Sequence, residues 1–391
     1  MSAAPRVIDF DHNATTRPAP EVVAAMLPYL GQEWGNASSV HRRGEAAREA
    51  VERARAQVAA LIGAAPEEIV FVASGSESDN LGLKGALGAA AGRRHLVIST
   101  IEHPAVLEAA AWLESQGCRV TRVPVTAEGL VEPEAVRRAL TPETGLVSVM
   151  LVNNEVGTIQ SLAEIARLAH AAGALVHTDA VQAIGKIPVD VNALGVDLLS
   201  LAGHKFHGPL GAAALYVRRR VRLVPLVHGG HQERGRRAGT ENLPAIVGLG
   251  VAAERSGQKL EAGVPRQIAA LGQALLEGLL ARVPDAHLNG SRAERVGSTV
   301  NLRFGGVDGE AVLHELDARG ITVSTGSACS AGQQGPSHVL VAMGLRPEDA
   351  HASVRFSLGE DNTRDDVERA LEIVPAVVEQ WRALARQPGA A

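Results

Sequence analysis

The sequence predicts an α/β protein: a large part built on a mainly parallel sheet covered on both faces, and a smaller α+β part. Three observations lead there. From about residue 40 to 260, helical and strand patterns alternate. The strand patterns are short apolar runs, the signature of strands buried on both sides. Past about residue 262, long helices with scattered short strands take over. The expected division is 15–261 for the large part, and 1–14 with 262–391 for the small one.

In chain order, residues 41–62 place Ala47, Val51, Ala54, Val58 and Leu61 on one apolar helical face, and Gly63 is a C-terminal stop. EEIVFVASG reads as a buried strand running into a helix that opens at Ser76. HLVIST, TGLVSVMLV, ALVHTDA, VDLLSLAGHK and GAAALYVR read as further strands. Ser161 and Glu164 form an S-x-x-E capping box for a helix ending at Gly173. The RRR at 218–220 reads as a solvated turn. Cys118 in CRVTRV alternates with Val120 and belongs to the core.

Composition narrows the function. The 391 residues are 46% apolar, enough for a substantial core, and the net charge of −5 gives no footprint for nucleic acid or an anionic membrane. No apolar run approaches the roughly 18 residues of a membrane span. Asp9 and Asp11 stand where a secretory signal needs apolar residues. Two cysteines are too few for a disulfide framework, so a reducing cytoplasm is expected.

In an open parallel sheet, ligands bind beyond the carboxyl ends of the strands. Ser74–Asn80, His103, Asn153–Glu155, Asp179–Gln182 and His204–Lys205 each follow a strand pattern. Gly75 and Ser76 open a helix whose free N–H groups suit a phosphate; an ordinary N-cap is the plainer alternative. Lys205 ends a buried strand, where a neutral amine suits Schiff-base chemistry, and Asp179 would keep a pyridine nitrogen protonated. A structural Asp–Lys pair is the alternative. His204 and His207, like His228 and His231, have H-x-x-H spacing, but without a suitably spaced carboxylate no metal is expected. Cys329 sits in STGSACSAGQQGPSH, a loop at about 325–337 with no apolar periodicity, which makes it an accessible thiol. Arg355 lies between apolar neighbours and needs a fixed anion, either a substrate carboxylate or an ion-pair partner. The basic, glycine-rich stretch 228–240 reads either as a phosphate-reaching loop or as a solvated one.

These residues resemble the cysteine desulfurases, the NifS/IscS-like branch of the class V aminotransferases. The resemblance runs through DHNATT, GNASSVH at 35–41, SGSESDN, IEHPAVL, NNEVGTIQ, HTDAVQAIGK, GHKFHGP, HGGHQERGRRAGT, GSACS and RFSLG, in that order. It implies a pyridoxal-phosphate transferase of fold type I with a seven-stranded-type sheet, and a homodimer with sites at the subunit interface. Lys205 would carry the cofactor, Asp179 would pair with the ring nitrogen, Gln182 would bond the ring hydroxyl, and His103 would stack on the ring and relay protons. Asn154 would sit near the ring hydroxyl and the substrate carboxylate, with Asn36 and Arg355 also holding that carboxylate. Gly75, Ser76 and His204 would bind the phosphate, with Thr240 from the partner subunit.

The implied reaction removes sulfur from L-cysteine, leaving L-alanine and a persulfide on Cys329. That sulfur would pass to an acceptor protein such as an iron–sulfur scaffold or a thiolation enzyme. Selenocysteine lyase and plain transaminase are alternatives on the same fold, and a catalytically silent docking subunit is a third. Two features depart from the pattern. Ala202 replaces the Ser or Thr of many relatives, removing one hydroxyl contact to the phosphate. The chain also stops soon after EQWRALARQPGAA, without an obvious scaffold-docking extension.

Overall fold

The computed structural model describes residues 7–90, 92–326 and 335–386. Its strands are β1 (Ile8–Asp9), β2 (Ile69–Val72), β3 (His95–Ser99), β4 (Arg119–Val123), β5 (Thr144–Ser148) and β6 (Leu175–Asp179). They continue with β7 (Leu198–Ala202), β8 (Ala213–Val217), β9 (Ala286–Asn289), β10 (Thr299–Phe304), β11 (Ile321–Thr322) and β12 (Ser353–Ser357).

Seven strands form the central sheet in the order β2-β8-β7-β6-β5-β3-β4. Neighbours from β7 through to β4 run parallel, and β8 is antiparallel to both β7 and β2. Two reversals restore direction, so β2 points the same way as β7. The carboxyl ends of β2, β3, β5, β6 and β7 therefore meet at one edge. After β3 the chain steps outward to β4, then returns to the other side of β3 as β5 and proceeds to β6 and β7. That reversal is the switch point where an α/β sheet opens a ligand crevice. Every residue of β2, β3, β5, β7 and β8 is buried, as expected for strands covered on both faces.

The predicted helix at 41–62 is found at Arg42–Leu61, capped by His41, with Ala47, Val51, Ala54 and Val58 buried. Its small residues let the helix Leu243–Glu261 approach closely: a methyl group added at Gly250 would lie 2.6 Å from the Ala54 Cα. A three-stranded antiparallel sheet, β12-β10-β9, packs with a second core that includes Phe10, Phe304 and Phe356. β1 pairs in parallel with β11, Ile8 opposite Ile321, which fastens the start of the chain to its final third.

Several local expectations differ from what is found. The helix after β2 starts at Gly75, and Ser74, not Ser76, caps it by accepting from Glu77 N. The run TGLVSVMLV is a strand only to Ser148, and its continuation turns into the site. The Ser161–Glu164 capping box is absent: Ser161 makes no side-chain cap and Glu164 faces Arg167 at 4.0 Å. A preceding tight turn, Leu162 N to Gln160 O at 2.8 Å, fixes the entry to that helix instead. Arg218 is not simply solvated. It donates to Val196 O and Val191 O and lies 3.6 Å from Asp197. Cys118 is buried in the core, just before β4.

Candidate active site

Gly75, Ser76, His103, Asn154, Asp179, Gln182, His204, Lys205 and Arg355 line one cavity of about 270 Å³ at the carboxyl edge of the sheet. They arrive from six strands. β2 delivers Gly75 and Ser76, and β3 delivers His103. β5 leads to Asn154, β6 to Asp179 and Gln182, and β7 to His204 and Lys205. Arg355 comes from β12.

At Lys205, Gly203 N donates to Ala212 O, and Phe206 N and Gly208 N both donate to Gly203 O, forming a tight turn. The turn would reject a side chain at Gly203, whose Cβ would lie 3.0 Å from Leu249 and about as close to two carbonyl oxygens. Lys205 Nζ donates to Asn13 O (2.7 Å) and Ala14 O (2.8 Å). Asn13 is the hub of this region. Its Nδ2 donates to Asn154 O and Thr299 Oγ1, its carbonyl accepts from Gln182 Nε2, and its Oδ1 accepts from Lys186 Nζ. Lys186 also donates to Gln182 Oε1 at 2.5 Å, so Gln182 is held in one orientation. Burial, reinforced by the charges of Lys205 and Arg355, pushes the Lys186 pKa down to about 7. Asn13, Ala14, Asp79 and Lys186 are the site residues that reasoning from side-chain pattern missed. DHNATT, a polar run directly after the apolar β1, was the available signal for the first two.

Opposite Lys205, Asp179 and Asp79 are buried side by side. Asp179 accepts from Val181 N at 2.9 Å. Asp79 Oδ1 is buried with no hydrogen-bond partner among the described residues, and His177 Nε2, 3.6 Å away, belongs to a ring that burial keeps neutral, its pKa lowered to about 3. Desolvation raises both carboxyl pKa values, and the charge of Asp179 raises that of Asp79 further. His103 is held below its ordinary pKa by burial, only partly opposed by Asp179. Its Nδ1 accepts from Ala105 N at 3.1 Å, so in the neutral ring the proton sits on Nε2. His204, hydrogen-bonded to Thr15 Oγ1, is lowered to about 4 by burial and by Lys205.

The two ends of the cavity have opposite preferences. The carboxylate pair calls for a cation, while the first turn of the helix Gly75–Ala89, with Ser76 and His204, calls for an anion. Asp79, His103 and Asp179 bring their ligating atoms within 4.8 Å of one another, a grouping able to hold a metal ion. A metal would satisfy only that end. A phosphorylated pyridinium satisfies both, and the tight approach at Gly75, where a Cβ would lie 3.2 Å from Val181, leaves backbone for the phosphate. The residues present therefore fit pyridoxal phosphate. Ala202 lines the same wall and offers no hydroxyl.

Arg355 has the ion-pair partner weighed from sequence. Its Nη2 donates to Asp11 Oδ1 at 2.7 Å and Nη1 to Asn154 O at 3.2 Å. Its buried Nε has no acceptor among the described residues.

Asn36 does not reach this cavity: it is exposed, and its Oδ1 accepts from Ser38 N in a local turn. Thr240 is exposed as well. The basic residues of 228–240 are committed elsewhere, Arg234 and Arg236 to Glu67 O and Arg237 to Glu77. That loop is anchored by the buried pair of Arg55 and Glu233, at 2.7 and 2.9 Å. Cys329 lies outside the described residues.

The chain on either side of residues 327–334 is tied beside the cavity. Ser324 N donates to Arg355 O and Arg355 N to Ser324 O (3.1 and 2.6 Å), and His338 Nε2 bonds to Glu102 O at 2.9 Å. Buried Glu155 accepts from Ser337 Oγ at 2.5 Å, and a Cβ added at Gly326 would collide with the same carboxyl. Desolvation pushes the Glu155 pKa up to about 7 from 4.5. A raised carboxyl pKa stabilises the fold fully below pH 4.5, and the benefit is lost as pH rises through about 7. Glu155→Gln, which mimics the protonated form, is expected to match wild type near pH 4.5 and exceed it by about 3 kcal/mol above pH 8. Urea denaturation at the two pH values measures this; equal stabilities at the higher pH would show that Glu155 ionises without penalty.

The aminotransferase class-V family model matches residues 8–370. A cysteine desulfurase IscS of Methanosarcina thermophila is 47% identical over 383 residues, covering 98% of this chain and 94% of its own. A cysteine desulfurase of Gluconacetobacter diazotrophicus is 48% identical over 376 residues, covering 96% and 94%. Among solved structures, a NifS-like protein superimposes with a TM-score of 0.89 at 36% identity, covering 96% of this chain and 100% of its own.

Proposed function

The chain belongs to the aminotransferase class-V family and is a pyridoxal-phosphate-dependent cysteine desulfurase, and from that premise we propose that Lys205 carries the cofactor and Cys329 receives the sulfur. The observation that carries the second assignment is the tethering of both flanks of residues 327–334 beside the cavity, through Ser324 on Arg355, which lines it, and His338 on Glu102, the neighbour of His103.

Asp179, backed by Asp79, would hold the cationic ring nitrogen. Gly75, Ser76 and His204 would hold the phosphate, and Gln182, fixed by Lys186, the ring hydroxyl. Bound there, pyridoxal phosphate supplies an electron sink for the pair released when the Cα–H bond of L-cysteine breaks. The guanidinium of Arg355, with Asn154, binds the substrate carboxylate. Lys205, in its neutral form, is the base placed to take the Cα proton. His103 is neutral and has an Nε2 proton to give. The Cys329 thiolate takes the substrate sulfur: the Cβ–S bond breaks, an S–S bond forms, Cβ gains a proton, Cα regains one, and L-alanine leaves a persulfide behind.

Residues 15–261 form the cofactor-binding part in this reading, and 1–14 with 262–391 the part that brings Cys329. Among the described residues no helix is long and apolar enough to cross a membrane, in keeping with action in the cytoplasm. Exposed Leu27, Leu30, Trp34 and Val40 supply an apolar surface for a homodimer, in which Thr240 of one copy serves the other. The acceptor of the sulfur is a scaffold of iron–sulfur assembly or a thiolation enzyme.

The test is product analysis. Holoenzyme given L-cysteine and a thiol reductant should yield alanine and sulfide in equal amounts, with no amino group passed to an added 2-oxo acid. Amino transfer without sulfide would replace the reading with a transaminase.

A further inference from the structure

The amine of Lys186 has two acceptors, and both belong to residues beside Lys205. Its Nζ donates to Gln182 Oε1 at 2.5 Å and to Asn13 Oδ1 at 2.6 Å. Burial lowers the Lys186 pKa to about 7, but the neutral amine keeps two N–H bonds, enough for both oxygens. The hold does not depend on charge. Lys186 lines a cavity of about 520 Å³, whereas Gln182 lines the one of about 270 Å³, and Lys205 lines both. Lys186 therefore acts on the cofactor's place through the side chains it holds.

A glutamine amide has two orientations, and its partners decide between them. Here both partners agree. An amine donates, so Oε1 has to face Lys186; a carbonyl accepts, so Nε2 faces Asn13 O at 2.9 Å. Turning the amide over would set N–H against N–H and oxygen against oxygen. The amide nitrogen carries two N–H bonds, Asn13 O takes one, and the second has no acceptor among the described residues. Asn13 O also accepts from Lys205 Nζ at 2.7 Å, so the amide nitrogen and the reactive amine converge on one oxygen. In pyridoxal phosphate the ring hydroxyl is on the carbon next to the one that bears the aldehyde. An aldehyde joined to Nζ brings that oxygen to the side of the amide.

We propose that Lys186 is a positioning residue that fixes Gln182 as a hydrogen-bond donor, so that the site selects pyridoxal phosphate with its ring oxygen ionised. The proposal rests on the reading of Lys205 as the cofactor's lysine and of Gln182 as the partner of the ring hydroxyl. An ionised oxygen can only accept, and a hydrogen bond to a charged group is among the stronger ones. A free amide could meet a protonated ring hydroxyl equally well by offering its oxygen; a clamped one cannot.

The probes are pyridoxal phosphate and a deoxy analogue with hydrogen in place of the ring hydroxyl. Each is added to the full-length protein freed of cofactor, and binding is measured by equilibrium dialysis. Wild type is expected to bind pyridoxal phosphate at least about tenfold tighter than the analogue. In Lys186→Met that preference should fall to about threefold or less, and the visible absorption of the loaded protein should lose intensity to the ultraviolet. Gln182→Glu replaces the donor with an acceptor and should abolish the preference, which reads the site even if Lys186→Met fails to fold. In a Gln182→Ala background, adding Lys186→Met should leave the preference as it is. No preference in wild type, a wild-type preference in Lys186→Met or in Gln182→Glu, or a further loss in the double variant would each overturn the proposal. Wild type that binds neither probe would overturn the reading of the cofactor site, and the proposal with it.

Discussion

Lys205→Ala is expected to lose the visible absorption that pyridoxal phosphate gives when joined to a lysine, and to turn over cysteine no faster than background. Proton transfer by a positioned amine contributes roughly 100- to 10,000-fold, and this variant loses covalent retention of the cofactor as well. The removal also exposes a dependency in the fold. Asn13 O and Ala14 O both accept from Lys205 Nζ, so both carbonyls lose that bond and Asn13 O keeps the one from Gln182 Nε2. Lys205→Arg separates chemistry from charge. A guanidinium can still reach those carbonyls, but it stays protonated and cannot act as a nucleophilic amine. It should be as inactive as alanine while keeping more of the wild-type thermal stability. Either variant retaining a tenth of wild-type turnover would assign the lysine role elsewhere.

Cys329→Ala should separate cofactor chemistry from sulfur transfer. It keeps the visible absorption and its change on adding cysteine, because nothing that holds the cofactor is touched. Sulfide release and persulfide labelling should fall roughly 100-fold or more, as expected when a covalent nucleophile is deleted. Cys118 cannot take over the role, since it is buried in the core beside β4. Cysteine turnover at the full rate, with alanine as product, would show that sulfur leaves without an enzyme thiol.

Much of the site was legible because strand ends break pattern. A lysine, two histidines, an aspartate and an asparagine each follow an apolar run, and a sheet with parallel neighbours brings such positions together. Asp79 was hidden because a helix beginning at Gly75 carries it inward on an otherwise apolar face. Lys186 gave no signal of its own; its amine is held by Gln182 one helical turn away and by Asn13, which is distant in sequence. The carbonyls of Asn13 and Ala14 have no side-chain signature. At Ser161 the local capping rule lost to a tight turn fixed by Gln160. Arg218 became an anchor because Val191, Val196 and Asp197 present their acceptors to it. Asn36 satisfied its own backbone, a competition between local and remote partners that spacing does not reveal.

The pairing of β1 with β11 has a consequence for biogenesis. Asn13, whose carbonyl receives the reactive amine, is itself held by Ser357 Oγ through a bond spanning 344 positions. While a ribosome is still making the last tenth of the polypeptide, that support does not exist, and the crevice has one wall missing. A nascent chain stalled before Ser357 is therefore expected to present the sheet without a finished seat for the coenzyme.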